Sequence, residues 1–164
     1  MPLTVHYDLK LQAFETPDAS IDSPDPQINW HELEADIKLT LDAESSVPVS
    51  KAWADKRTLT AGADTIDLTS LTGPFASSID LTGLRVNALR ITADKSNSED
   101  LVVKFGASNP YPIFGAAGTV NIPPGGALLM IFNAKMPLVS ASVKDIDVSS
   151  ADATAVYRVV LAAG

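Results

Sequence analysis

The segment "WHELEADIKLTLDA", residues 30–43, constrains this chain more than any other stretch. Leu33, Ala35, Ile37, Leu39 and Leu41 alternate without a break against Glu32, Glu34, Asp36, Lys38, Thr40 and Asp42. A period of two puts apolar groups on one side of an extended strand and polar groups on the other. Glu, Leu and Ala are good helix formers and favour a helix from Glu32 to Lys38, but the unbroken alternation decides for a strand.

The same period recurs at the start, where "LTVHYDLKLQAF" places Val5, Tyr7, Leu9, Leu11 and Ala13 on one side, as an edge or arm strand would. "ETPDASIDSPDPQ", from Glu15 to Gln27, then brings three prolines and four acids, a composition that forbids a regular element and predicts an exposed loop. "KAWADKRTLTAG" is a weaker strand, because neither of its alternating sides is cleanly apolar. The phrases "IDLTSLTG" (66–73) and "IDLTGL" (79–84) echo each other as a strand pair or as two successive turns, too few copies for a solenoid.

Further on, "LRVNALRITADK" predicts a strand, "DKSNSED" a polar turn, and "LVVKFGAS" a hairpin-like partner. "NPYPIFGAAG" is a Pro/Gly-rich loop, "TVNIPPGGALLMIFNA" holds two short strands about a tight turn, and "SASVKDIDVSS" and "TAVYRVVLAAG" close the chain. Frequent turns and no convincing helix predict an all-β fold, an antiparallel sandwich of about eight to ten strands. At 164 residues the chain fits one domain, 1–164, with 1–29 as an N-terminal arm and acidic, proline-rich loop.

Composition narrows the function classes. The chain is 46% apolar and 20% charged, as folded domains are. Twelve Lys and Arg against twenty Asp and Glu give a net charge of −8, and no basic cluster stands out along the sequence. A phosphate backbone or an anionic bilayer would be repelled, so neither nucleic acid nor membrane is an expected partner. With no cysteine, there is neither a disulfide framework nor thiolate metal ligation. The N-terminus has no basic region followed by an apolar core, and no sequon occurs, which predicts a protein made in a cytoplasm and left unprocessed.

No constellation of catalytic residues emerges, and no enzyme, cofactor or metal is expected. "IPPGG" is not a phosphate cradle: Pro123 and Pro124 remove two N–H donors and no Gly-Lys-Ser/Thr follows. Pro-Gly does suit the central positions of a type II turn. The strand after it is of more interest, because Leu128, Leu129, Met130, Ile131 and Phe132 point apolar groups to both faces. The second face is covered either by a neighbouring loop or by a subunit or partner, so these five are interface candidates, together with Trp30 and Trp53.

His6 and His31 are too few for a zinc site. Asp18, Asp22 and Asp25, or Asp145, Asp147 and Asp152, offer calcium-type oxygens without the twelve-residue loop pattern, and read as solvated loop acids. The Gly-x-Ser-x-Gly elbow is absent. Trp30, Trp53, Tyr111 and Phe114 are the available members of a sugar-stacking platform, or else plugs for the core and its loop ends.

From "DLTGL" through the "VVKFG" strand, the Asn-Pro loop and the "IPPGG" turn before an apolar strand, residues 66–164 resemble the jelly-roll domains of tailed-bacteriophage virion proteins, most of all the capsid decoration (cement) proteins. The resemblance implies a jelly-roll sandwich that forms a homotrimer, binds the major capsid protein on the outside of the head in the virion, and stabilises it. A tail or fibre module and a carbohydrate-binding sandwich are the alternatives. Residues 1–65 carry no part of the resemblance, and either complete the sandwich or form an arm over a neighbouring subunit.

Overall fold

The computed structural model describes residues 5–9, 37–41, 48–73, 76–115, 118–132 and 136–164. The chain divides into two compact units, Val5–Thr40 and, with the first four residues, Leu41–Gly164. In the first unit, β1 (Val5–Leu9) pairs with β2 (Ile37–Leu41), whose last residue, Leu41, is already part of the second unit. Both strands fall on alternating segments. Leu11, Ala13, Leu33 and Ala35, and the acidic loop at Glu15 to Gln27, lie outside the described residues.

The larger unit holds β3 (Lys51–Thr58), β4 (Ala63–Asp67), β5 (Leu71–Thr72), β6 (Ser78–Ile79), β7 (Val86–Ala93), β8 (Leu101–Phe105), β9 (Thr119–Ile122), β10 (Ala127–Ile131), β11 (Asp145–Ser149) and β12 (Val156–Ala163). No α-helix occurs among the described residues. Apart from the small β5–β6 pair, the ladders nest: β3 pairs with β12, β4 with β11, β7 with β10, and β8 with β9, all antiparallel. That is one long hairpin with its tip between β8 and β9. It is rolled so that β12 also pairs with β7 and β11 with β8. Two four-stranded sheets result, β10-β7-β12-β3 and β4-β11-β8-β9, the arrangement of a jelly roll.

The roll overturns one expectation from the sequence. "LVVKFGAS" is not the hairpin partner of "LRVNALRITADK", because β7 and β8 belong to opposite sheets. The turn between them is tied to β12 instead. The buried Asn97 side chain exchanges two hydrogen bonds with the Val156 backbone, donating to its carbonyl at 2.9 Å and accepting from its N–H at 2.8 Å. The Asp94 N–H donates to the same carbonyl at 3.0 Å. Residues 51–67 complete the sandwich, supplying one edge strand to each sheet, β3 and β4.

The core lies between the sheets. Leu89, Ile91, Tyr157, Val159 and Leu161 meet Ile66, Leu101, Val103, Ile146 and Val148 across it. β3, ambiguous in sequence, turns Trp53 and Leu59 into this core and carries Asp55 and Arg57 on the same side. That mixed side is tolerated because Arg57 is paired. Its Nε and Nη2 donate to the Asp64 carboxylate at 2.6 and 2.8 Å, and the Tyr157 hydroxyl donates to Asp64 at 2.7 Å. The cluster joins β3 and β12 of one sheet to β4 of the other. Burial pushes the Asp64 carboxyl up, but the bonds from Arg57 and Tyr157 outweigh it and hold the group below its usual range.

The "IDLT" echo is a repeated turn. The Asp67 carboxylate accepts from the Thr69 N–H and hydroxyl, and the Asp80 carboxylate does the same for Thr82. Asp94 with Ser96, and Asp152 with Thr154, repeat the Asp-x-Ser/Thr device.

Candidate interaction face

The outer side of the β10-β7-β12-β3 sheet follows from strand register. Reading across from β10 to β3, one row runs Ala127, Thr92, Arg158, Lys56 and the next Leu129, Arg90, Val160, Ala54. A third runs Ile131, Ala88, Ala162, Ala52. Alternation along each strand puts these twelve residues on the side away from the core. They include three cations and no carboxylate, and the alanines of the third row are in part buried, Ala88 and Ala162 each at 4% exposure.

Leu129, Ile131 and Val160 are exposed at 38%, 39% and 48%, three of the four large apolar residues that are exposed among those described. The described residues contain no loop covering β10 on this side. Its opposite side carries Leu128, Met130 and Phe132, all half-buried, with Leu128 and Phe132 packed against the core. β10 is also an edge strand. The Phe132 N–H donates to the Asn87 carbonyl and the Gly126 carbonyl accepts from Ala93, so even-numbered residues bond to β7. Antiparallel alternation then turns the backbone groups of Ala127, Leu129 and Ile131 toward the open edge.

The other three edges are guarded. β3 carries Lys51, Asp55, Lys56 and Arg57, β4 carries Asp64 and Asp67, and β9 is short, bears Asn121 and runs into Pro123 and Pro124. Charges, prolines and shortness are the usual defences of an edge. β10, Ala-Leu-Leu-Met-Ile, has none of them within its span.

The "IPPGG" turn feeds this strand. The Gly126 N–H donates to the Pro123 carbonyl at 2.8 Å, and Gly125 sits at φ 77°, the left-handed conformation that position i+2 of a type II turn requires. The turn carries the chain from β9 in one sheet to β10 in the other.

Beside the turn, Arg90, Thr92, Asp94, Lys95, Gly125, Arg158 and Val160 line an open depression of about 530 Å³. No basic cluster stands out along the sequence, so this cationic patch is not visible there. Lys56, Arg90, Lys95 and Arg158 come from separate strands and a loop, and only the fold brings them together. Among the described residues no hydrogen bond or ion pair engages Arg90 or Arg158, whereas Arg57 and Lys144 are each paired with carboxylates.

Trp53 belongs to the core at 3% exposure, its Nε1–H donating to the Thr72 carbonyl at 2.9 Å, so it offers no ring face to a partner. Tyr111 is also buried. Its hydroxyl accepts from the Val86 N–H and donates to the Pro137 carbonyl, both at 3.0 Å, and burial pushes its pKa up. Phe114 packs against the core, so these three rings form no sugar-stacking platform.

Asp145 and Asp147 share the outer side of the opposite sheet, while Asp152 sits in the turn before β12 and accepts from Thr154 and Ser98. No group of three or more His, Cys, Asp or Glu that could hold a metal is found among the described residues. Trp30, His31, Asp18, Asp22 and Asp25 lie outside the described residues, as does the His6 side chain.

No family model and no curated protein sequence matches the chain. Among solved structures it is similar to a chain from the disulfide-linked pili of Bacillus endospore appendages, with 9% identity and a TM-score of 0.43 over 73% of this chain and 90% of that one. It is also similar to the coat protein of Tobacco streak virus, with 12% identity and a TM-score of 0.35 over 68% of this chain and 85% of that one.

Proposed function

We propose that this chain is a non-enzymatic structural protein of a virion, which decorates a bacteriophage capsid as an oligomer, binds the major capsid protein on its outer surface and stabilises the shell. The observation that carries the assembly role is the β10 edge: an unguarded apolar strand beside a carboxylate-free sheet face. A soluble chain hides such an edge or uses it. The capsid part of the reading rests on the sequence resemblance of residues 66–164.

The mechanism is additive contact. Copies that touch one another and several shell subunits turn weak contacts into avidity, since each later contact is intramolecular. Binding selective for the mature shell stabilises that state by mass action. Mass spectrometry of purified particles should find the chain, and image reconstruction should place it on the outer head surface. Its absence from particles would sink the reading, and density on the tail would replace it with a tail or fibre module.

A further inference from the structure

We infer that the cationic patch on the β10-β7-β12-β3 sheet docks the acidic N-terminal stretch of a second copy of this chain, so that copies join head to tail. The inference deepens the oligomeric part of the proposed function and rests on it only for its biological setting.

The first observation is a cluster of like charges that a single carboxylate, Asp94, offsets only in part through its attraction to Lys56 and Arg158. Lys56 and Arg158 face each other directly across β3 and β12, both exposed. Arg90 pairs with Val160, two residues along β12 from Arg158, which places the two arginines diagonally. Like charges directly opposite on a ladder are destabilising, and diagonal neighbours at about 7–8 Å still interact through long side chains. Lys95 adds a fourth cation at the end of the patch. Asp94 is the one carboxylate lining the depression, and one of its oxygens already holds the Ser96 N–H and hydroxyl. One carboxylate against four cations leaves an excess of positive charge that an external anion would balance.

The second observation identifies the anion. Between Lys10 and Lys38 the sequence has seven acids, Glu15, Asp18, Asp22, Asp25, Glu32, Glu34 and Asp36, and no lysine or arginine. Nearly all of the net charge of −8 therefore sits in that stretch, and the rest of the chain is close to neutral. Three prolines stand among these acids and oppose a helix there. Apolar Leu129 and Val160 flank the cations, and Ile21, Ile28 and Trp30 are interspersed with the acids. A polyphosphate would meet the cations but brings no apolar group to Leu129 and Val160. A contact between two different surfaces is heterologous, so copies close into a ring such as a trimer or run on as a fibre.

The test uses a labelled synthetic peptide of residues 11–37 and the full chain. The peptide should bind the chain at about 50 mM NaCl and lose at least about tenfold in affinity by about 500 mM, because salt screens exposed charge pairs. Arg90→Glu with Arg158→Glu should weaken it by about tenfold or more while circular dichroism stays unchanged. The full chain carrying those two changes, and a second variant with Asp22→Lys and Asp25→Lys, should each self-associate less than the wild type in sedimentation. Mixed together, the two reversed chains should associate again.

Peptide binding unaffected by salt or by the arginine changes would overturn the inference, as would failure of the mixture to associate or a mass independent of concentration. Binding of heparin or polyphosphate without binding of the peptide would overturn it too. Salt-dependent association of a chain that is absent from particles would contradict the capsid reading and leave this inference standing.

Discussion

The two sheets of the sandwich face outward with opposite chemistry. On the β4-β11-β8-β9 sheet, Asp147 stands between Thr65 and Lys104, and Ser149 between Ala63 and Val102. Thr65 donates its hydroxyl to Asp147 at 2.7 Å, and Lys144 donates to Asp67 at 2.5 Å. Donors and acceptors on that side are largely paired with one another. The outer side of β10-β7-β12-β3 holds alanines, exposed Leu129, Ile131 and Val160, and Arg90 and Arg158, which form no ion pair with any described residue. The lesson is that one fold builds a face whose polar groups largely pair with one another and a face that leaves cations and apolar groups open.

The largest expected effect comes from charging the β10 edge. Leu129→Lys with Ile131→Lys should reduce assembly by about two orders of magnitude, as loss of central apolar contacts does. Stability should change by no more than about 0.5 kcal/mol, since both residues are exposed. Thr65→Lys with Ser149→Lys on the opposite sheet should leave assembly intact. Sedimentation and thermal unfolding of the two double variants compare the faces directly.

Next in size is the cluster that joins the sheets. Asp64→Ala strands Arg57 and the Tyr157 hydroxyl and should cost about 2–3 kcal/mol in urea unfolding, the low end for a buried pair because both partners keep some solvent. Tyr111→Phe leaves the Val86 N–H and Pro137 carbonyl without a partner and should cost about 1–2 kcal/mol. Both changes should act on folding and spare the contact chemistry of the β10 face.

The smallest effects are acidic and differ in sign. Burial raises the Asp145 carboxyl above its usual range; Lys144 opposes this while Asp67 and Asp147 add to it. A raised carboxylate destabilises the fold once ionised, so its favourable contribution is present at low pH and fades as pH rises through its folded pKa. Asp145→Asn should therefore stabilise slightly at neutral pH.

Asp80, Asp94 and Asp152 are held below the usual range by Thr82, Ser96 and Thr154 respectively, the last with help from Ser98. Asp67 is lowered as well: burial opposes the shift, and Lys144 and Thr69 overcome it. The stability these four supply is present above pH about 4 and is lost as pH falls through their folded values. A pH series of thermal midpoints should show an acid-side decline, blunted in Asp80→Asn and Asp152→Asn.

Much of the fold is legible in the sequence because strand alternation and turn chemistry are local. The Pro124-Gly125 turn, the β7 and β12 strands and the all-β class follow from residues within a few positions of one another. The roll itself is not legible, because β3 finds β12 and β4 finds β11 across most of the larger unit. β3 read as ambiguous for the same reason: Arg57 looks misplaced beside Trp53 until Asp64 and Tyr157 arrive from elsewhere. The apolar half of the candidate face was visible in "ALLMIF". The cationic half was not, since Lys56, Arg90, Lys95 and Arg158 never stand together in sequence.

The central claim is that the chain meets its neighbours through the β10-β7-β12-β3 face. Hydrogen exchange on the assembled and the dissociated chain tests it most directly. The account predicts that the amides of Ala127, Leu129 and Ile131 slow by about tenfold or more on assembly, while those of Thr119 and Asn121 on the β9 edge do not change. Protection gained at β9 or β4, with β10 exchanging as fast as before, would contradict it.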